Sequence, residues 1–421
     1  MKLADLCPLP LPADDRLPEE VLLGPGARGG LGDVVDARLG DRPFRFGDPE
    51  TWAAAGLPGR GWLLPSHPHA DEETAQVVAR AADGATGLLA VGSGTINDLA
   101  KCAAEALGVD FVIVGTAASM NGYASAIAAI VARGLKTTQA ARPARAIVLD
   151  TELLAAAPAA LTRAGLGDLI SKPVSDTDWW LSDKLEGTGY STLPGDIVDR
   201  AYRQATARAA GLMAGDPGAF MALGEALVLS GVAMVVAGSS APASGGEHLL
   251  SHLWDMEALA EGREVRLHGA QVGVTTCISA AIYQRLIRVR RADLTPVRPW
   301  IEEERRLHAE HGALAPTILE QARRKHARAE QRLALLQDRW PELRDELGER
   351  RLPTPAELRA PLLACGAPAT LRDLGSSRTD GARVLRLARD IRDRLTVLDL
   401  AFDLGILPGA ADDLLLEAGV A

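Results

Sequence analysis

The stretch from Thr86 to Leu107 constrains the fold most, because a short apolar run passes through a glycine turn directly into a helical pattern. The run Thr86–Val91 has the length and composition of a buried strand. The turn is Gly92–Thr95, and the residues from Ile96 to Leu107 have the spacing of a helix. A strand, a tight turn and a helix in this order are typical of an α/β fold on a parallel sheet.

The same alternation extends over roughly residues 40–150 and predicts a Rossmann-like, doubly wound parallel sheet. The other predicted strands are Val34–Ala37, Pro43–Gly47, Gly61–Leu64, Phe111–Val114 and Ala146–Leu149, with Ile127–Ile130 as an edge strand or hairpin arm. The other predicted helices here are Thr51–Ala55 and Glu72–Ala82. Strand-like runs disappear after about residue 155. We therefore predict a dinucleotide-binding α/β domain over 1–155 and an all-helical, metal- and substrate-binding domain over 156–421.

Composition excludes several other classes of protein. With 421 residues, 47% of them hydrophobic, the chain is long enough for two domains with sizeable cores. The formal net charge of −10 opposes nucleic-acid binding, which needs a concentrated Lys and Arg face. The four cysteines do not have the paired spacing of a disulfide framework or a metal site. The N-terminal residues lack the apolar stretch of a signal peptide, and the apolar run 226–237 is too short to cross a bilayer. We expect a cytoplasmic protein without a membrane span, in which Glu302–Arg344 forms one or two solvated surface helices.

Two loops follow neighbouring predicted strands and suggest a ligand crevice. The first, Gly92–Asp98, lets the backbone approach a diphosphate, and the helix that follows offers free N–H groups. It lacks the third glycine of the full GxGxxG pattern, so a plain tight turn is the alternative. The second, Gly115–Ser125, is rich in small hydroxyl and amide side chains. Loops of this kind at one sheet edge favour nucleotide binding.

A carboxylate and three histidines in the predicted helical domain suggest a metal site. Asp168 lies at the start of a predicted helix, His248 and His252 share a helix face at i,i+4, and His268 opens another helix. Two or three histidines with one carboxylate suit a catalytic divalent ion. The spacing does not decide whether both His248 and His252 are ligands, and core or capping residues are the alternative.

Several segments, in order, resemble the sn-glycerol-1-phosphate dehydrogenase family. They are VGSGTINDLAK (91–101), GTAASMNGYAS (115–125), GLGDLISK (165–172), SGGEHLLSH (244–252), LHGAQVG (267–273) and IRDRLTVLDLAFDLGIL (391–407). That family belongs with iron-type alcohol dehydrogenases, glycerol dehydrogenase and dehydroquinate synthase. The resemblance covers about residues 45–290 and the last helices. It implies a dehydroquinate synthase-like fold, an NAD(P)H cofactor, one divalent metal (Zn, Ni or Fe) and a homo-oligomer.

The resemblance also implies roles for individual residues. The metal ligands would be Asp168, His248 and His268, while His252 would contact substrate and supply the proton, with Asp168 also near the substrate. The implied cofactor contacts are Gly92, Ser93, Gly94, Thr95, Ile96, Asp98, Thr116, Ala117, Ser119 and Ser125. The expected reaction is reduction of a small phosphorylated ketone, dihydroxyacetone phosphate or a close analogue, to sn-glycerol 1-phosphate or its analogue.

One departure from the family pattern bears on the substrate. Asn121 stands where many members have Asp; an amide can hydrogen-bond a substrate hydroxyl but cannot act as a base. Lys101 and Lys172 could contribute to a phosphate pocket, although exposed helix lysines are the common alternative. Asp48 could accept the ribose hydroxyls of an adenosine.

Three other functions remain open from the sequence. A lyase or cyclase similar to dehydroquinate synthase would use NAD transiently on a sugar phosphate, without net redox change. A dehydrogenase acting on an unphosphorylated polyol would need no phosphate pocket. A sensor or scaffold that only binds nucleotide is disfavoured, because all three apparent metal ligands are present.

Overall fold

The computed structural model describes residues 2–7, 9–132 and 135–421. Within these ranges, six parallel strands form a sheet in the order β1-β8-β5-β4-β2-β3, and β6 and β7 form an antiparallel hairpin. The strands are β1 (Glu20–Gly24), β2 (Pro43–Gly47), β3 (Trp62–Leu63), β4 (Gly87–Gly92), β5 (Asp110–Gly115), β6 (Ile127–Ala132), β7 (Leu135–Ala140) and β8 (Ala146–Asp150). The predicted parallel sheet is confirmed, and Ile127–Ile130 lies in an arm of the hairpin.

The described chain also contains twenty α-helices. They are α1 (Leu3–Leu6), α2 (Leu31–Arg38), α3 (Pro49–Ala55), α4 (Glu72–Ala81), α5 (Gly94–Leu107), α6 (Thr151–Ala156), α7 (Ala159–Leu169), α8 (Lys172–Glu186), α9 (Leu193–Ala207), α10 (Ala209–Met213), α11 (Pro217–Ala237), α12 (Gly246–Ala260), α13 (His268–Leu286), α14 (Trp300–His311), α15 (Ala315–His326), α16 (Ala329–Glu349), α17 (Pro355–Ala364), α18 (Arg378–Leu387), α19 (Val397–Asp403) and α20 (Ala411–Glu417). Where described, the chain beyond Asp150 contains no strand, as the sequence predicts.

The prediction of a strand at Val34–Ala37 is wrong, because these residues belong to helix α2. Leu31, Val34 and Val35 are buried at helical spacing against the sheet core, whereas a strand would alternate its buried positions. The edge next to β8 is occupied by β1, a strand that is not among those predicted from the sequence.

The strand order places a topological switch point between β2 and β4. From β2 the chain passes to β3 on one side, whereas from β4 it continues to β5 and β8 on the other. Gly47 is level with Val91, and Gly92 with Gly115, so the carboxyl ends of β2, β4 and β5 align. Ligands of doubly wound sheets bind at such a point, outside the carboxyl ends of the strands.

The chain forms two compact units. Unit 1 comprises Met1–Leu169, Leu193–Ser239 and Ala364–Gly366; unit 2 comprises Ile170–Thr192, Ser240–Leu363 and Ala367–Ala421. The predicted division at 155/156 differs from this, because helices α7, α9 and α11 fold with the sheet. Each unit consists of three segments that are separated in the sequence, so a single boundary cannot divide the chain into these units.

Helix α11, Pro217–Ala237, is long and apolar enough to cross a membrane, but 83% of its most apolar window is buried within the protein. It packs on α9 and on the turn at Gly122–Ala124, within unit 1. Burial on all sides, rather than along one stripe, explains why its sequence is apolar throughout.

The expectation that Glu302–Arg344 is a solvated surface is wrong in part. The stretch lies in α14, α15 and α16, whose residues Leu307, Ile318 and Trp340 are buried. Several of its charges are buried as ion pairs: Arg332 Nε lies 2.6 Å from Asp403 Oδ2, and Lys325 Nζ lies 3.0 Å from Asp399 Oδ1. Their acidic partners stand in α19, at a sequence distance that a local charge pattern does not reveal.

Candidate metal and dinucleotide site

Unit 1 presents the predicted dinucleotide residues at the aligned strand ends. Ser93 follows β4 as the N-cap of α5, and its hydroxyl makes no capping hydrogen bond, so the first-turn N–H groups are not closed off by it. Ser93, Gly94 and Thr95 are half-buried, whereas Gly92 and Ile96 are buried. A side chain at Gly92 would overlap Ile96, so glycine is required for this turn to pack. The arrangement fits a diphosphate at a helix N-terminus.

The second predicted loop lies beside the first. The Thr116 N–H donates to the Gly92 carbonyl oxygen at 3.0 Å, which joins the ends of β5 and β4. Thr116 and Ala117 are buried, while Ser119 is half-buried. The Asp98 carboxylate, on α5, accepts from the Ala129 N–H at 3.3 Å. Ser119 and Asp98 are therefore better placed than Thr116 and Ala117 for a side-chain contact.

Ser125 and Lys101 form an internal support of this loop. Lys101 is 1% exposed, and its Nζ donates to the carbonyl oxygens of Gly122 (2.6 Å) and Ile127 (2.7 Å) and to Ser125 Oγ (3.1 Å). Burial lowers the pKa of the Lys101 ammonium to about 8, although the charge of Asp98 opposes the shift. Neither expectation for Lys101 holds, since it is neither an exposed helix lysine nor open to a phosphate.

Lys172 and Asp48, which the sequence suggested as phosphate and ribose contacts, have structural roles. Lys172 is also buried, with Nζ donating to Ser171 Oγ at 3.1 Å and to the Ala243 carbonyl oxygen at 3.3 Å. Asp48 is the N-cap of α3, and its Oδ1 accepts from the Thr51 N–H at 2.8 Å.

Asp168 and Asn121 meet in unit 1. The Asn121 N–H donates to Asp168 Oδ2 at 3.2 Å, and the Asn121 side-chain amide donates to Ser230 Oγ at 3.2 Å. The prediction that Asp168 begins a helix is wrong: it lies at the C-terminal end of α7, with α8 beginning at Lys172. Gly165 allows close packing, because a side chain there would overlap the Ala118 carbonyl.

Unit 2 brings the three predicted histidines together. His248 and His252 lie on α12, and His268 is the first residue of α13. The ring centroids of His248 and His268 are 5.1 Å apart, and those of His252 and His268 are 5.3 Å apart. Ring nitrogens of His248 and His268 come within 4.8 Å of each other, a spacing that one ion can bridge.

Glu247 lies against His248 and is a residue that was not predicted from the sequence. His248 Nδ1 lies 2.7 Å from Glu247 Oε1, which also accepts from the Gly245 N–H at 2.7 Å. A carboxylate only accepts, so this contact favours the tautomer that carries the proton on Nδ1. An acidic residue next to a ligand-type histidine at a helix start is the signal that could have identified it.

Asp255 offers an alternative to part of the predicted ligand set. His252, Asp255 and His268 each present a ligand atom, all within 4.8 Å of one another. Asp255 Oδ1 also accepts from Gln271 Nε2 at 2.8 Å, and His268 Nδ1 lies 3.2 Å from Ser251 Oγ. His268 belongs to both sets, so the other ligands decide which set operates.

Comparison with solved structures defines the class of the fold. The structure superimposes on a probable glycerol dehydrogenase from Sinorhizobium meliloti with a TM-score of 0.63 at 19% identity, covering 95% of this chain and 96% of that one. Glycerol dehydrogenase from Schizosaccharomyces pombe gives a TM-score of 0.60 at 15% identity, covering 98% and 95%. The sequence profile of iron-containing alcohol dehydrogenases matches residues 54–158. The predicted fold class, a nucleotide-binding α/β part followed by helices, is that of the iron-type alcohol dehydrogenases.

Sequence comparison narrows the assignment. A glycerol-1-phosphate dehydrogenase [NAD(P)+] from Bacillus velezensis is 32% identical over 284 residues, covering 64% of this chain and 72% of that one. One from Halorubrum lacusprofundi is 36% identical over 275 residues, covering 64% and 77%. The chain belongs to the glycerol-1-phosphate dehydrogenase family. It spans about half the length of several other curated relatives that it matches.

Proposed function

We propose that this protein is a metal-dependent dehydrogenase that interconverts dihydroxyacetone phosphate and sn-glycerol 1-phosphate with NAD(P)(H). The observation that carries the proposal is the histidine cluster of unit 2, in which ring nitrogens of His248 and His268 come within 4.8 Å of each other and Glu247 lies against His248 Nδ1. Membership of the family, whose curated relatives bear that activity in their names, supports the choice of substrate.

The proposed metal ligands are Asp168, His248 and His268. Two imidazoles and one carboxylate accept Zn, Ni or Fe and leave a coordination position open. An acidic oxygen is the donor that the two imidazoles lack, and the family resemblance gives that role to Asp168. When bound, the cation supplies Lewis acidity toward the ketone oxygen, and the nicotinamide supplies or accepts the hydride.

The remaining chemistry falls to side chains of this chain. We propose that His252 delivers the proton to the reduced oxygen, since its ring stacks on His268 with an interplanar angle of 15° and stays partly exposed. Asn121, held by Ser230, would hydrogen-bond a substrate hydroxyl.

The dinucleotide would lie along the strand ends of residues 1–155. The proposed contacts are Gly92, Ser93, Gly94, Thr95, Ile96, Asp98, Thr116, Ala117, Ser119 and Ser125. The Ser125 hydroxyl is already hydrogen-bonded to Lys101 and to the Gly122 carbonyl oxygen. Ser125 would therefore act on the dinucleotide by supporting the loop. Residues 156–421 would supply the metal ligands and the substrate contacts other than Asn121. We further propose that the protein is a cytoplasmic homo-oligomer. Light scattering after gel filtration tests the oligomeric state.

A four-variant experiment tests the assignment of roles. Metal-stripped protein is reloaded with Zn²⁺, Ni²⁺ or Fe²⁺, and NADH or NADPH oxidation is followed with dihydroxyacetone phosphate. His248→Ala and Asp168→Asn should lose metal and activity together. His252→Ala should keep the metal and lose at least about 100-fold in kcat. Asp255→Asn should keep the metal.

The opposite pattern, with metal lost from His252→Ala and Asp255→Asn but kept by His248→Ala, would move the site to the alternative set. Preference for unphosphorylated dihydroxyacetone would assign the enzyme to polyols. Conversion of a sugar phosphate without net change in NADH absorbance would identify a lyase.

A further inference from the structure

Two buried carboxylates lie behind His248, at the start of the helix that carries it. Asp178 is 1% exposed and Glu247 is 0% exposed. The two glycines of the SGGEH segment serve them: the Gly245 N–H donates to Glu247 Oε1 at 2.7 Å, and the Gly246 N–H donates to Asp178 Oδ2 at 2.6 Å. Together the carboxylates cap the N-terminus of α12, where the helix dipole favours negative charge.

The packing leaves no room for a side chain between the carboxylates and the helix. A Cβ at Gly245 would overlap Asp178 Oδ2 and lie 2.9 Å from Glu247 Oε2. Asp178 Oδ1 accepts from the Val397 N–H at 2.7 Å and from the Tyr283 hydroxyl. Asp178 is therefore held from α12, α13 and the start of α19, and Glu247 is held by the Gly245 N–H.

The two buried carboxyl groups act on each other and on the positive charge of Arg394. Burial, followed by the charge of Glu247, raises the pKa of Asp178 to about 7. Arg394 stands nearby, with its guanidinium donating to the Ser244 carbonyl and, at 2.8 Å, to Ser240 Oγ. Besides the Gly245 N–H, Glu247 Oε1 contacts the imidazole of His248.

We infer that Glu247 is a positioning residue that holds His248 in the Nδ1–H tautomer, with the Gly245 N–H holding Glu247 and Asp178 holding the start of the same helix through the Gly246 N–H. The inference rests on the proposed function, since it assumes that His248 Nε2 binds the metal. A carboxylate behind a histidine ligand fixes the ring and makes the free nitrogen more basic, and losing such a partner typically lowers metal affinity about 10–100-fold.

Two substitutions separate the hydrogen bond from the charge. Glu247→Gln keeps a carbonyl oxygen for the Nδ1 proton and the Gly245 N–H, so the tautomer stays while Zn²⁺ affinity falls about tenfold. Glu247→Ala removes the acceptor, so the Nε2–H tautomer gains population and affinity falls up to about 100-fold. Glu257→Gln is the matched control, because Glu257 lies on the same helix and pairs with Arg383.

The measurements are ¹⁵N chemical shifts of the histidines in metal-free protein and Zn²⁺ affinity against a competing chelator. Both Glu247 variants should weaken Zn²⁺ binding relative to the control, and only Glu247→Ala should change the His248 tautomer. Wild-type affinity and tautomer in Glu247→Ala would overturn the inference. If that variant does not fold, wild-type Zn²⁺ affinity in Glu247→Gln overturns it. If the wild type itself binds no Zn²⁺, the proposed function fails, while the tautomer comparison still tests the role of Glu247.

Discussion

Replacing Gly231 with Ala should displace residues 121–125, which include the proposed substrate contact Asn121. Gly231 itself is not one of the proposed site residues. Gly231 lies on α11, and a Cβ there would lie 2.6 Å from the Asn121 carbonyl oxygen and 2.9 Å from Ala124 C and Ser125 N. Ordinary contact begins at 3.4 Å, so residues 121–125 must move by about 0.8 Å, the difference between the two distances. All three neighbours are backbone atoms, which cannot rotate away.

The magnitude follows from two opposing effects. Ala gains about 1 kcal/mol over Gly in a helix interior, whereas overpacking costs about 1–3 kcal/mol. We expect a net loss of up to about 2 kcal/mol, which lowers Tm by up to about 8 °C for a unit of this size. The same displacement weakens the 3.2 Å hydrogen bond from the Asn121 N–H to Asp168, so kcat/KM should fall by about 10–100-fold.

Differential scanning calorimetry and steady-state kinetics measure both effects. Gly348→Ala is the control, because Gly348 is an exposed glycine near the end of α16, and a Cβ there would meet no neighbouring atom within 4 Å. It should leave activity unchanged and gain up to about 1 kcal/mol. A Gly231→Ala protein with wild-type Tm and kcat/KM would refute the reasoning.

Three further substitutions probe other parts of the structure. Asp390→Asn should cost about 3 kcal/mol at pH 7, because His311 and Arg306 each lie 2.9 Å from the buried Asp390 carboxylate. Burial raises the pKa of Asp390, but the hydrogen bond from His311 and the charges of Arg306 and Arg389 outweigh burial and hold this pKa well below its usual value. The difference in Tm between Asp390→Asn and wild type should therefore shrink as the pH falls below about 4. Lys101→Met should lower Tm and weaken NADH binding measured by fluorescence, since buried carbonyl acceptors lose their donor; unchanged binding would contradict its support of the loop. Asn121→Ala should raise KM for the ketone about tenfold without loss of metal, and an unchanged KM would remove Asn121 from the substrate site.

The elements that sequence reasoning located are those whose signals are local. β4 and β5 are short apolar runs that end at Gly92 and Gly115, and both were predicted to within a residue or two. His268 was correctly placed at the start of its helix. In each case a glycine or a change of hydrophobic period marks the boundary.

The errors concern features that depend on tertiary packing. Val34–Ala37 has the composition of a strand and becomes a helix because its apolar residues must cover the sheet on one side. Lys101 looks like a surface lysine until the turn at Gly122 folds over it. The pairing of Arg332 with Asp403, 71 positions apart, likewise has no local signal.

The central claim, metal-dependent hydride exchange with a phosphorylated ketone, is tested most directly by one titration. Metal-stripped protein receives Zn²⁺ stepwise in the presence of NADH and dihydroxyacetone phosphate, and the decrease in NADH absorbance is compared with the amount of glycerol 1-phosphate formed. We predict activity that rises to a maximum near one ion per chain, with one NADH consumed per product. Full activity without metal, or loss of NADH without glycerol 1-phosphate, would contradict the account.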